Sequence, residues 1–77
     1  MIDSERYTYM ASVLKAMAHP TRLFIVDELD KAPKNVSELT EMVGIDMSTI
    51  SRHLSILKHA GIIAATKSNN QMIYRLL

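Results

Sequence analysis

The chain has 77 residues, 48% of them apolar, no cysteine and a formal net charge of +1. That length fits a single domain over residues 1–77 with one modest core, and the missing cysteines exclude disulfides, thiolate metal sites and thiol redox chemistry. No apolar run approaches a membrane span, and the polar, acidic start MIDSERYTYM does not read as an export signal, so a cytoplasmic protein is expected.

A first helix is predicted over 4–18, with Ser4 as its cap. Tyr7, Met10, Leu14 and Met17 recur at helical spacing and form one apolar face. Pro20 suits a first helical position, where its missing N–H costs nothing, and His19 stands at or just before that start. The second helix is therefore placed from Pro20 to Lys31, with Leu23, Val26 and Leu29 buried, Ile25 alongside, and Pro33 as the stop. Asn35 and Val36 read as a short extended link. Ser37 is the expected cap of a third helix whose inner face is Leu39, Met42 and Val43 and whose end is Gly44.

Residues 46–61, DMSTISRHLSILKHAG, carry the most information. Asp46 is a good N-cap and Gly61 a usual residue just past a helix end. Ile50, Leu54 and Leu57 make an apolar stripe. Ser48, Arg52, Ser55 and His59 make an opposite row that is small, polar and free of acids. A short helix, a tight turn through Gly44 and a second capped helix form a helix-turn-helix. Two β-prone runs, 62–67 and 71–76, then flank Ser68-Asn69-Asn70 and read as a hairpin, which after a helix-turn-helix is a wing. The expected class is mainly α with a small β-hairpin (α+β), a winged helix-turn-helix in the order α-α-(β)-α-α-β-β.

Charge divides the chain in the same place. All eight acids lie at or before Asp46. Residues 47–77 carry Arg52, Lys58, Lys67 and Arg75 and no acid, a net of +4, while residues 1–46 carry five bases and eight acids, a net of −3. A basic half on an acidic half is the footprint of a phosphate-facing surface.

Three stretches resemble the arsenic-repressor-like (ArsR/SmtB) family of winged-helix regulators. Leu14 to Leu23, with Pro20, Thr21 and Arg22, is similar to that family's junction of the first two helices. Ser48 to Leu54, with Leu57 and Ala60-Gly61-Ile62-Ile63, is similar to its recognition helix and first wing strand. Tyr74-Arg75-Leu76 is similar to the end of its second wing strand. The resemblance implies a homodimeric repressor that binds duplex DNA. It does not extend to metal sensing. The cysteine pair that soft-metal sensors of the family carry near Leu39–Met42 is missing, and the sequence stops at Leu77, where zinc-sensing relatives continue into a further helix that also supports the dimer. A shortened or minimal member, dimerised through helix 1, is the expectation.

Candidate DNA contacts are Ser48, Thr49, Ser51, Arg52, His53, Ser55, Lys58 and His59 on the fourth helix and Lys67 on the wing. Arginine is the commonest reader of guanine, hydroxyls reach phosphates or base edges, and the first turn of a recognition helix enters the groove. His53 borders the apolar stripe, as a packing or phosphate-contact residue. His59 near the helix end is favoured there when charged. Tyr7, Met10 and Leu14 are the expected dimer surface. Arg22 is expected to be structural, with Glu38 or Asp27 as partner. The three histidines form no i, i+4 metal pair, so no metal site and no cofactor are expected.

The function expected is a transcriptional regulator, a repressor, that binds an imperfect palindrome in double-stranded DNA as a homodimer, without contact to membranes; its effector is left open. A winged helix that binds protein instead of DNA is the alternative, against which the acid-free 47–77 segment counts. Only two glycines occur and every serine and histidine near an acid has a cap or groove explanation, so catalysis is the remotest reading.

Overall fold

Capping side chains decide where each helix of this chain begins. In the computed structural model, which describes residues 3–77, the Asp3 carboxylate accepts the Arg6 backbone N–H at 3.1 Å and opens α1, Ser4–Met17. Ser4 is thus the first helical residue and not the cap. A carboxylate one position earlier takes the first-turn N–H and adds a favourable charge at the helix start. His19 opens α2, Pro20–Lys31, with its Nδ1 accepting the Thr21 N–H at 3.1 Å. Ala32 then turns extended, as the residue before Pro33 must.

A two-residue strand β1, Lys34–Asn35, follows, and α3 spans Val36–Val43. Asn35, not Ser37, caps α3. Its Oδ1 accepts the Glu38 N–H at 2.8 Å while its own N–H donates to the Glu38 carboxylate at 2.9 Å. This reciprocal pair satisfies two otherwise orphaned donors, which a serine two residues later does not do. Gly44 ends α3 at φ +81°, a left-handed conformation. α4 spans Met47–His59, and the wing consists of β2, Ile63–Ser68, and β3, Gln71–Leu76. Asn69 and Asn70 join the strands with φ of 48° and 66°. Two successive left-handed residues are what a type I′ hairpin turn needs. The sheet order is β1-β3-β2, all antiparallel, with Lys34 opposite Tyr74 and Ile63 opposite Leu76.

The core is small and shared. Ile25 and Leu29 of α2, Leu39 of α3, Ile50, Leu54 and Leu57 of α4 and Ile63 of β2 are all buried, with Val26, Val43, Tyr74 and Leu76 packed at its edge. Leu23 and Met42, expected inside, are exposed. α2 packs on α4 and β3, and α3 on α4 and the sheet; these two residues fall outside the faces so covered. The first helix departs further: Ala16 is its only buried residue. Tyr7, Met10 and Leu14 of its apolar face are exposed, and none of the described residues covers them.

The Gly44 turn yields a first test. A β-carbon built there meets no atom within 4 Å, so only the positive φ opposes a side chain. Gly44→Ala is therefore expected to cost about 1–2 kcal/mol in urea unfolding. A loss of only a few tenths would mean that the turn between α3 and α4 relaxes freely.

Candidate nucleic-acid interface

The entry of α4 is tied together by one carboxylate. Asp46 accepts the Thr49 N–H at 2.9 Å and the Thr49 hydroxyl at 2.7 Å, and the Ser48 hydroxyl donates to it as well. The Ser48 hydrogen bond, then the Thr49 hydroxyl and backbone N–H, hold the Asp46 carboxyl down at about 2, from an ordinary value of 3.8. A depressed carboxylate stabilises the fold above the unfolded value and loses that contribution as pH falls. The cap is therefore intact above about pH 4 and is lost toward pH 2. An NMR titration of the Asp46 carboxyl carbon should show a midpoint near 2 that climbs in a Ser48→Ala, Thr49→Val double variant. A wild-type midpoint near 3.8 would contradict the tie.

This network changes what Ser48 and Thr49 offer. Their hydroxyl protons are committed to Asp46, so toward a ligand both present acceptor lone pairs. A base amino group suits them better than a phosphate does.

Beyond the first turn, Ser51, Arg52, Ser55, Lys58 and His59 are all exposed. They are held in place from behind by Ile50, Leu54 and Leu57, which are buried as the stripe requires. The His59 Nδ1 lies 2.8 Å from the Ser55 carbonyl oxygen. A carbonyl only accepts, so Nδ1 carries a proton and Nε2 is the atom left for a ligand. The only ion pair among the described residues joins Lys31 to Glu28, at 2.6 Å on α2. No carboxylate neutralises Arg52, Lys58 or Lys67. Lys67 is exposed near the wing tip. Arg75 is tied across the hairpin, its Nη1 donating to the Thr66 hydroxyl at 3.0 Å.

His53 stands apart from the other candidates. It is 8% exposed and its ring packs on His19 with centroids 4.5 Å apart. Its place on α4 faces the start of α2, so it does not share the outer row. Arg22 also departs from expectation. No acid pairs with it; its Nη1 donates to the Ala16 carbonyl at 3.0 Å. There it serves one of the carbonyls that a helix end leaves free.

The structure adds one residue that the sequence did not single out. Lys15 of α1 and Arg22 of α2 line one side of an open groove whose other side is Arg52, Ser55 and His59 of α4. Helical periodicity gives α1 an apolar face, but nothing in it says that the opposite edge comes to lie beside α4. On the far side, Tyr7, Met10 and Leu14 are 52%, 42% and 68% exposed, an apolar strip that none of the described residues covers. Among the described residues, no three of His, Cys, Asp and Glu converge as metal ligands.

Comparison with known proteins bears on this arrangement. A family model described as bacterial regulatory protein, arsR family, matches residues 19–65. The chain is similar to the HTH-type transcriptional regulator NmtR of Mycobacterium tuberculosis, at 32% identity over 97% of this chain and 62% of that protein. It is similar to the biofilm growth-associated repressor of Xylella fastidiosa, at 35% identity over 94% of this chain and 63% of that protein. Among solved structures it superposes on the homodimeric winged helix-turn-helix DNA-binding domain of Mb0332 from Mycobacterium bovis with a TM-score of 0.91, at 28% identity over 99% of this chain and 72% of that one. The chain thus spans 62–63% of the length of these two curated relatives.

Proposed function

The chain belongs to the arsR family of bacterial regulatory proteins, and from that membership we propose that it is a sequence-specific regulator, a repressor, acting on duplex DNA as a homodimer and without chemistry of its own. The observation that carries this reading is the outer face of α4. It is exposed, free of acids, and bears an arginine that no carboxylate neutralises, on a helix fixed by three buried apolar residues. α4 enters the major groove by its capped end, the commonest docking of a helix-turn-helix. Ser48 and Thr49 meet base edges, Ser51, Arg52 and Ser55 meet base edges or backbone, Lys58 and, when its Nε2 bears a proton, His59 meet phosphates, and Lys67 brings the wing to the neighbouring backbone. His53 leaves the contact set because it is buried.

The relatives support repression: one is named a repressor and another a transcriptional regulator. Mb0332 is described as homodimeric, and here Tyr7, Met10 and Leu14 supply an uncovered strip for helix 1 to meet a second copy. Two such recognition helices sit about 34–36 Å apart, so the target is an imperfect palindrome. The protein works in the cytoplasm in this reading; no helix of the described residues is long and apolar enough to cross a membrane. The test is a gel shift with genomic fragments at two salt concentrations. Retardation at low salt that fades at high salt is expected, because phosphate contacts release counterions. No retardation at low salt would defeat the proposal and leave a protein-docking winged helix in its place.

A further inference from the structure

The His19–His53 pair does nothing in the reading above, yet it sits where the DNA helix meets the rest of the fold. His53 lies on α4 between Arg52 and Leu54, and its Nδ1 is buried with no hydrogen-bond partner. The other buried side-chain nitrogen without a partner, among the described residues, is Nε of Arg22. His19 lies at the α1–α2 junction, its ring tilted 49° to that of His53 at a centroid distance of 4.5 Å. Its Nδ1 is the acceptor that caps α2.

We propose that the packed His19–His53 pair is an acid-sensitive joint that seats the recognition helix on α2, and that protonation of His53 loosens α4 and weakens its hold on DNA. The DNA half of this proposal rests on the function proposed above; the joint itself does not.

Geometry disfavours the charged form of His53. A proton on His53 Nδ1 would be a buried charged donor with nothing to receive it. His19 cannot take up such a proton, because its own Nδ1 lone pair is occupied by the Thr21 N–H. Two charged rings at this separation would also repel. The groups acting on His53 are His19 from the junction, Arg22 from α2 and Arg52 from α4 itself; no carboxylate of α2, α3 or the wing is among them. Lys15 of α1 lines the same groove as both arginines. Burial first, then His19 and the two arginines, hold the His53 imidazole below its usual 6.5. The sign follows. Above about pH 6.5 the folded and unfolded chains both hold a neutral ring. Below it the unfolded chain takes the proton first, so stability falls as pH falls.

Three measurements on the full chain test this. By NMR, the His53 ring of the wild type should titrate with a midpoint below 6.5; a midpoint at or above that value overturns the joint. The urea midpoint of the wild type should drop between about pH 7.5 and about pH 5.5, a window in which histidine is the side chain that ordinarily titrates. His53→Phe, and His53→Gln if the first folds poorly, should drop less, and an equal drop overturns the joint. Finally, a duplex selected from genomic fragments by the wild type at the higher pH is followed by fluorescence anisotropy at constant salt. Wild-type affinity should fall several-fold on acidification, while the affinity of the variant should fall less. Parallel behaviour of wild type and variant overturns the coupling to DNA. A wild type that binds no duplex at the higher pH overturns the DNA reading and the second half of this proposal together, and the first two measurements still decide the joint.

Discussion

Arg52→Ala is expected to weaken binding to the preferred duplex by about 1–3 kcal/mol at each half-site, with about tenfold in affinity for every 1.4 kcal/mol. The size follows from what surrounds the guanidinium. It is exposed and unpaired, and its neighbours across the groove are Lys15 and Arg22. In the free protein its removal breaks no ion pair and relieves like-charge crowding, so the unfolding midpoint should hold or rise. A variant equally stable but weaker on DNA separates a contact from a folding defect. The same variant tells base from backbone. Loss confined to the preferred sequence marks a contact to a base edge. Uniform loss, with the salt dependence reduced by about one counterion per lost phosphate contact, marks a backbone contact. Unchanged affinity for both preferred and scrambled duplexes would remove Arg52 from the interface.

Leu54→Ala is the substitution expected to cost most in stability, about 2–5 kcal/mol in urea unfolding. Leu54 is buried, and the cluster it belongs to draws on α2, α3, α4 and β2 together. A domain of this length holds a total stability of only about 4–12 kcal/mol. Losing Leu54 therefore takes a large share of it, and a neighbouring side chain can collapse into the space only by leaving another buried position. DNA binding should fall with it, in proportion to the fraction unfolded, and return when the temperature is lowered. A cost under about 1 kcal/mol would mean that the stripe is not the anchor of α4.

Helices α2 and α4 were legible in the sequence because their limits are local chemistry. His19-Pro20 and Asp46 act on the first turn of their own helices, and Gly44 and Gly61 take up the positive φ that ends α3 and follows α4. The third helix was legible in existence but misjudged in its start. Ser37 competes with Asn35 for the cap, and Asn35 wins because Glu38 stands three residues after it and closes the reciprocal bond. That spacing is visible in the sequence once Asn is weighed with its partner. Leu23 and Met42 were not legible: periodicity marks an apolar face but not how wide a strip the neighbouring helix covers.

The candidate site divides in the same manner. The outer row of α4 could be read from spacing alone, since it depends on one helix. The placement of His53 against His19, the Arg22 bond to the Ala16 carbonyl and the groove that brings Lys15 beside Arg52 depend on two helices meeting. The Asp46 network falls between the two. Its cap was expected from the sequence, but its claim on the Ser48 and Thr49 hydroxyl protons emerges only from rotamers.

Asn35 has a role larger than its cap. Its backbone lies in the sheet opposite Ile73, its Oδ1 starts α3, and its Nδ2 donates to the side chain of Gln71, beside the hairpin turn, at 2.8 Å. One residue thus ties the wing to the start of α3, the helix that leads through Gly44 into α4, and so bears on the spacing of α4 and wing like the pivot of a caliper. A caliper measures. It would accept a duplex whose groove-to-backbone distance matches its jaws and reject one that is overtwisted or compressed, even where every base is correct. Under the proposed function, an asparagine outside the contact set would thus bear on which duplex shapes the protein accepts.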